Sequence, residues 1–182
     1  MNYIFLADGY ETVEALAVVD MMRRAALPLT LVSMNETEFV TTSHQVVTKA
    51  DTTFDKADLS DARMLILPGG MPGTANLEEN EALCDALKKH AKAGGDLAAI
   101  CAAPRVLGRL GLLEGKRATC FPGNEELLKG AKVSTAGVES DGNVITGKGM
   151  GAAVLFGAAI VERLKDKETA DRILAQIQYQ GD

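Results

Sequence analysis

The segment AAICAAPRVLG holds the residue best placed to do chemistry, Cys101. The apolar run Leu97–Ile100 before it reads as a buried strand, and Ala103 to Leu110 follows a helical pattern. A nucleophile at a strand-to-helix turn is a nucleophile elbow, and the small neighbours Ala99, Ala102 and Ala103 suit its sharp bend. Pro104 fits the first turn of the helix, where a missing N–H costs nothing. Free backbone N–H groups and the positive helix end then lie near the sulfur. They are expected to lower the thiol pKa from about 8.5 towards about 3.5–7.5, giving a thiolate. The other reading of the same spacing is an inert thiol packed behind a core strand.

Two further features complete a possible site. Pro68-Gly69-Gly70 ends the apolar run Met64–Leu67, and glycines let backbone N–H groups approach a ligand closely. The N–H of Gly70 paired with that of Ala102 would form an oxyanion hole; the alternative is an ordinary turn. Glu14 opens the first helical segment. It is either a first-turn acid that complements the helix dipole or an inward-facing carboxylate beside Cys101. In the second case burial and like-charge repulsion push it towards its protonated form, and it serves as general acid or base.

These residues need a scaffold, and the hydrophobic pattern describes one. Strands are expected at Tyr3–Ala7, Leu29–Met34, Met64–Leu67 and Leu97–Ile100, with a weaker one at Arg117–Cys120. Helices are expected over Glu14–Arg24, Glu79–Ala93, Ala103–Leu110, Ala152–Leu164 and Glu168–Gln178. Thr37–Lys49 reads as a polar hairpin or edge element, and Asp141-Gly142 reads as the type I′ turn of another hairpin. Short uninterrupted apolar strands alternating with helices imply an α/β fold, a mainly parallel sheet covered on both faces. Active sites of such folds lie beyond the carboxyl ends of the strands, which directs attention to Asp8–Val13, Pro68–Asn76 and Cys101–Arg105.

The 182 residues, with no linker or low-complexity tract, are expected to form a single domain over 1–182. A hydrophobic fraction of 47% argues against disorder, and a net charge of −6 without basic clusters argues against nucleic-acid binding. The longest uncharged apolar run, Ala152–Val161, is too short to span a bilayer, and the N-terminus lacks a basic signal-peptide region. No membrane association and a cytoplasmic location are expected. Three Cys without metal-type spacing fit neither a disulfide scaffold nor a zinc site. No metal and no cofactor are expected. Cys84 reads as a packing residue. Cys120 is a strand-end thiol or a resolving thiol for Cys101. His44 and His90 read as surface residues, and Arg105 as a surface residue or an anion contact.

The motifs GYETVEA, LPGGMPG and AICAAP, in that order, resemble the ThiJ/PfpI family, in its Parkinsonism-associated deglycase branch. VDMMRRA and DGNVITGKGMGAA extend the similarity along nearly the whole chain. The resemblance implies a flavodoxin-like three-layer sandwich of the class I glutamine amidotransferase type, usually a homodimer. It implies that Cys101 is an oxidation-prone nucleophile, Glu14 the protonated carboxylate beside it, and Gly70 and Ala102 the N–H donors. Gly69, Phe121 and Cys120 would line the pocket. Family activities include glyoxalase, deglycase, stress-sensing, chaperone and protease functions. Ala102 stands where protease-type branches carry His, so a cysteine protease or hydrolase fits least. Phe121 stands where glyoxalase-active relatives carry His, and Met150 where many carry Pro. The expected function is cysteine-dependent action on a small-molecule carbonyl or a carbonyl-modified protein. A non-enzymatic oxidative-stress sensor or redox-regulated chaperone is the alternative.

Overall fold

A computed structural model describes residues 1–181. The strands are β1 (Asn2–Leu6), β2 (Thr30–Ser33), β3 (Phe39–Thr41), β4 (Val47–Lys49), β5 (Thr52–Thr53), β6 (Met64–Leu67), β7 (Asp96–Ile100), β8 (Arg117–Ala118), β9 (Lys132–Val133), β10 (Val138–Asp141) and β11 (Val144–Gly147). The helices are α1 (Thr12–Arg24), α2 (Gly73–Glu79), α3 (Glu81–Lys92), α4 (Pro104–Arg109), α5 (Ala153–Leu164) and α6 (Lys167–Gln176). A seven-stranded sheet runs β10-β11-β7-β6-β1-β2-β5. All its pairings are parallel except that of β10 with β11.

Alternation along the strands divides the core into two layers. Tyr3, Phe5, Leu65, Leu67, Leu97 and Ala99 face one way, against Leu77, Leu83, Leu87, Val106 and Leu107 of α2, α3 and α4. Ile4, Leu6, Met64, Ile66, Ala98 and Ile100 face the other way, against Val18, Val19 and Met22 of α1 and Phe156 and Ile160 of α5. The expected covered parallel sheet is therefore present, and it is three layers deep. The chain leaves β1 for β2 on one side, and later builds β6, β7 and β11 on the other. The switch point lies between β1 and β6, so the loops after these strands are neighbours.

Several expectations shift. Residues 73–79 form α2, which lacks an apolar period because Leu77 is its one large buried side chain. The strand expected at Arg117–Cys120 shortens to β8, which pairs with β9 in a small separate sheet. The second hairpin pairs Asp141 with Val144, so its loop is Gly142-Asn143 rather than Asp141-Gly142. Gly142 alone has positive φ, +61°, which is the pattern of a II′ turn and not I′. The polar hairpin is present as β3 and β4. It is tied to the loop after β1 by Gly9 N–H to Thr41 O (2.8 Å) and Ser43 N–H to Tyr10 O (2.9 Å).

Helices α1 and α5 cross closely because Gly157 has no side chain: a Cβ there would lie 2.9 Å from Met21 Cγ. Gly157→Val is expected to overpack this crossing and lower the unfolding free energy by about 1–3 kcal/mol, read from urea denaturation.

Candidate active site

Cys101 follows β7 directly and has φ +65°, in the left-handed region that a residue with a Cβ adopts only under constraint. Its N–H donates to Gly147 O (2.8 Å), and its carbonyl accepts from Phe121 N–H (2.8 Å). Both ends of the peptide unit are thus pinned, one by the end of β11 and one by the segment after β8. The bend is the expected elbow. It is not capped directly by the helix: Ala103 is the N-cap of α4, and α4 is short.

Glu14 sits on α1 with its side chain turned inward and is 1% exposed. Its Oε2 accepts from Gly69 N–H at 3.0 Å, and Cys101 lies against the same glycine. The N–H groups of Ala102 and Gly70 lie close enough to the thiol to favour its charged form. A Cβ on Gly69 would fall 2.5 Å from Glu14 Oε2 and 2.6 Å from Cys101 Cβ, so only glycine leaves room for the pair. Gly70 has φ +91°, and a Cβ there would meet Glu11 N at 2.3 Å. The loops after β1, β6 and β7 thus bring together Glu14, Gly69, Gly70, Cys101 and Ala102, all of them sequence candidates.

The ionisation of the pair differs from the expected thiolate. Burial pushes the Glu14 carboxyl up to about 7, opposed by the hydrogen bonds from Cys101 and Gly69, with the negative charge of Glu11 adding to the rise. Burial likewise pushes the Cys101 thiol up to about 12; the charge of Glu14 and the hydrogen bond to it add to this, while the Ala102 and Gly70 N–H groups oppose it. Two backbone donors are too few to offset burial beside a carboxylate. The expected lowering of the thiol therefore does not arise: while Glu14 is charged the thiol is raised, and a negative charge on sulfur is favoured only when Glu14 holds the proton.

Of the remaining candidates, Phe121 adjoins the elbow through its N–H to Cys101 O, with Cys120 next to it in the chain. Cys120 is buried and packs in the layer of α3 and α4, whereas Cys101 packs against that of α1 and α5. Burial raises the Cys120 thiol to about 11. Phe121 is half-exposed and lines an apolar groove of about 530 Å³ with Pro122, Met150 and Leu155. Cys84 is buried, as a packing residue would be. His90 Nε2 lies 3.0 Å from Asp96 O, away from the site. Arg105 is largely buried rather than on the surface, and pairs with Glu78 at 2.9 Å. Among the described residues no group of three or more His, Cys, Asp or Glu is arranged to hold a metal. No helix among them is long and apolar enough to cross a membrane.

Sequence reasoning passed over Glu11. It caps α1 by accepting from Val13 N–H (3.5 Å), and its own N–H donates to Gly69 O (2.9 Å). The available signal was its position: an acid three residues before Glu14, where the N-cap of the first helix falls.

The sequence matches the DJ-1/PfpI family over residues 2–163. The chain belongs to that family. It is 35% identical over 178 residues to the Parkinson disease protein 7 homolog of Danio rerio, covering 96% of this chain and 94% of the relative. It is 35% identical over 164 residues to Protein DJ-1 homolog B of Arabidopsis thaliana, covering 90% of this chain but only 37% of that longer protein. Among solved structures, oxidized DJ-1 of Toxoplasma gondii superposes with a TM-score of 0.94 at 31% identity, over 99% of this chain and 98% of that one. The fold is therefore the flavodoxin-like, class I glutamine amidotransferase-like fold of DJ-1/PfpI proteins.

The raised Glu14 carboxyl has a consequence for stability. Between its unfolded value of 4.5 and about 7 the folded chain binds more protons than the unfolded one, so stability falls as pH rises through that window. Glu14→Gln is expected to remove roughly 3 kcal/mol of this fall. Urea denaturation of both proteins at the two ends of the window checks it: parallel pH dependences would contradict the assignment.

Proposed function

We propose that this DJ-1/PfpI protein is a cysteine-dependent enzyme acting on small reactive carbonyls, with a 2-oxoaldehyde such as methylglyoxal as the type substrate. The observation that carries the reading is the buried Glu14 carboxyl and the Cys101 thiol on either side of Gly69, with the Gly70 and Ala102 N–H groups near the sulfur. A carboxyl near pH 7 is matched to moving protons at neutral pH.

Glu14 takes the thiol proton as sulfur adds to the aldehyde carbon. The C–S bond forms, and the C=O π electrons move to oxygen, where the Gly70 and Ala102 N–H groups stabilise the charge. Return of the proton to that oxygen gives the hemithioacetal. Glu14 then removes the proton from the same carbon, leaving an enediolate. Proton transfer between its oxygens and delivery of the proton to the adjacent carbon give a 2-hydroxyacyl thioester. Water cleaves the C–S bond, releasing the hydroxy acid and restoring the thiol. The carbon skeleton is oxidised at one carbon and reduced at its neighbour, so no external redox partner enters. Phe121 supplies no proton relay, so the scheme assigns the proton transfers to Glu14. A homodimer is the proposed assembly, on the ground of family membership alone.

A second reading is an oxidative-stress sensor, in which Cys101 is oxidised to a sulfinate held by the same N–H groups and by protonated Glu14. The absence of a titratable side chain at Phe121 favours it.

The deciding experiment follows methylglyoxal conversion to lactate without glutathione. Wild type is expected to turn over, Cys101→Ser to be inactive, and Glu14→Gln to fall by at least about 100-fold, the usual loss when a general base is removed. Full turnover by Glu14→Gln would overturn the mechanism. If wild type is also inactive, while mild peroxide adds two oxygens at Cys101 before Cys84 or Cys120, the sensor reading replaces it.

A further inference from the structure

Glu11 takes no part in the scheme above, yet its contacts lead into it. The Gly69 peptide is clamped from both sides: its carbonyl accepts from Glu11 N–H, and its N–H donates to Glu14 Oε2. The Glu11 side chain is 15% exposed. Its Oε2 accepts from Ser43 Oγ (3.2 Å) and lies 3.5 Å from His44 Nδ1. Ser43 and His44 form the tip between β3 and β4. That tip is held by Thr42 Oγ1, which accepts from His44 N–H (3.3 Å) and Val46 N–H (3.1 Å). The hairpin therefore delivers an imidazole to the N-cap carboxylate of α1, three residues before Glu14.

The charged groups around this cluster are few. The N-cap of α1 supplies Glu11, the helix itself Glu14, the hairpin His44, and the elbow Cys101. The segment 68–72 after β6 has no charged side chain. Asp8, in the loop after β1, is engaged by Thr41 N–H (2.8 Å) and Asn35 Nδ2 (3.0 Å).

We propose that Glu11 and His44 are positioning residues that set the proton occupancy of Glu14, and through it the pH at which Cys101 becomes reactive. The inference rests on Glu14 acting as the base for Cys101. Glu11 in its charged form makes a second negative charge on α1 unfavourable, so Glu14 keeps its proton to higher pH. A protonated His44 offsets that charge and lets Glu14 ionise earlier. The pair thus places the start of thiol reactivity under the control of a side chain that is 74% exposed.

The test measures the rate of Cys101 alkylation by iodoacetamide against pH, with the modified site assigned by mass spectrometry. In the wild type the rate rises as Glu14 ionises. Glu11→Gln, which keeps acceptor atoms but loses the charge, is expected to move the midpoint down by about 0.5 pH unit. Glu11→Asp, which keeps the charge, is expected to hold it near the wild-type value. His44→Lys, a permanent cation, should lower the midpoint in the wild-type background, and by less when Glu11 is already Gln. Unmoved midpoints in Glu11→Gln and His44→Lys, while Glu14→Gln abolishes the rise, would overturn this proposal alone. If Glu14→Gln leaves the profile intact, the base reading fails and takes this proposal with it.

Discussion

The organisation of the site depends on one constraint: a buried carboxyl, Glu14, and a partly buried thiol, Cys101, flank the same glycine, where a charge on one disfavours a charge on the other. Each of the surrounding features answers it. Gly69 donates its N–H to the carboxylate and, by lacking a Cβ, lets the two groups meet. The Gly70 and Ala102 N–H groups favour charge on the thiol. The proton is left with a choice of two owners, and burial makes the choice matter because the interaction is poorly screened.

The fold supplies the pieces from separate parts of the chain without long loops. The switch of strand order between β1 and β6 sets Asp8–Glu11 beside Pro68–Pro72, and β7 delivers the elbow next to them. Helix α1 is held on the sheet by its crossing with α5, so the Glu14 side chain is aimed by packing some distance from the sulfur. The β3–β4 hairpin is a lateral strap on the same loops and brings polar groups that the sheet cannot provide.

Much of this was legible in the sequence. Uninterrupted apolar runs marked the central strands because a parallel sheet buries both faces. Gly-rich breaks marked the loops where backbone approaches backbone, and the small residues around Cys101 marked the elbow. What escaped has a physical pattern. Helix α2 lacked a periodic apolar face, and the Gly142-Asn143 turn was misplaced by one residue because Asp, Gly and Asn all suit turns. The thiol was expected to be acidic because a nearby helix start is visible in sequence, whereas burial and the orientation of Glu14 are tertiary facts. Glu11 was passed over and His44 read as a surface residue for the same reason: their significance lies in which loops touch.

The left-handed backbone at Cys101 has a further consequence. Holding a side chain in that conformation typically costs of order 1–3 kcal/mol, a cost a glycine would not incur. The chain therefore keeps its sulfur at the expense of folding free energy. A glycine there would relax the bend and remove the thiol, so at this one position backbone ease and sulfur chemistry exclude each other.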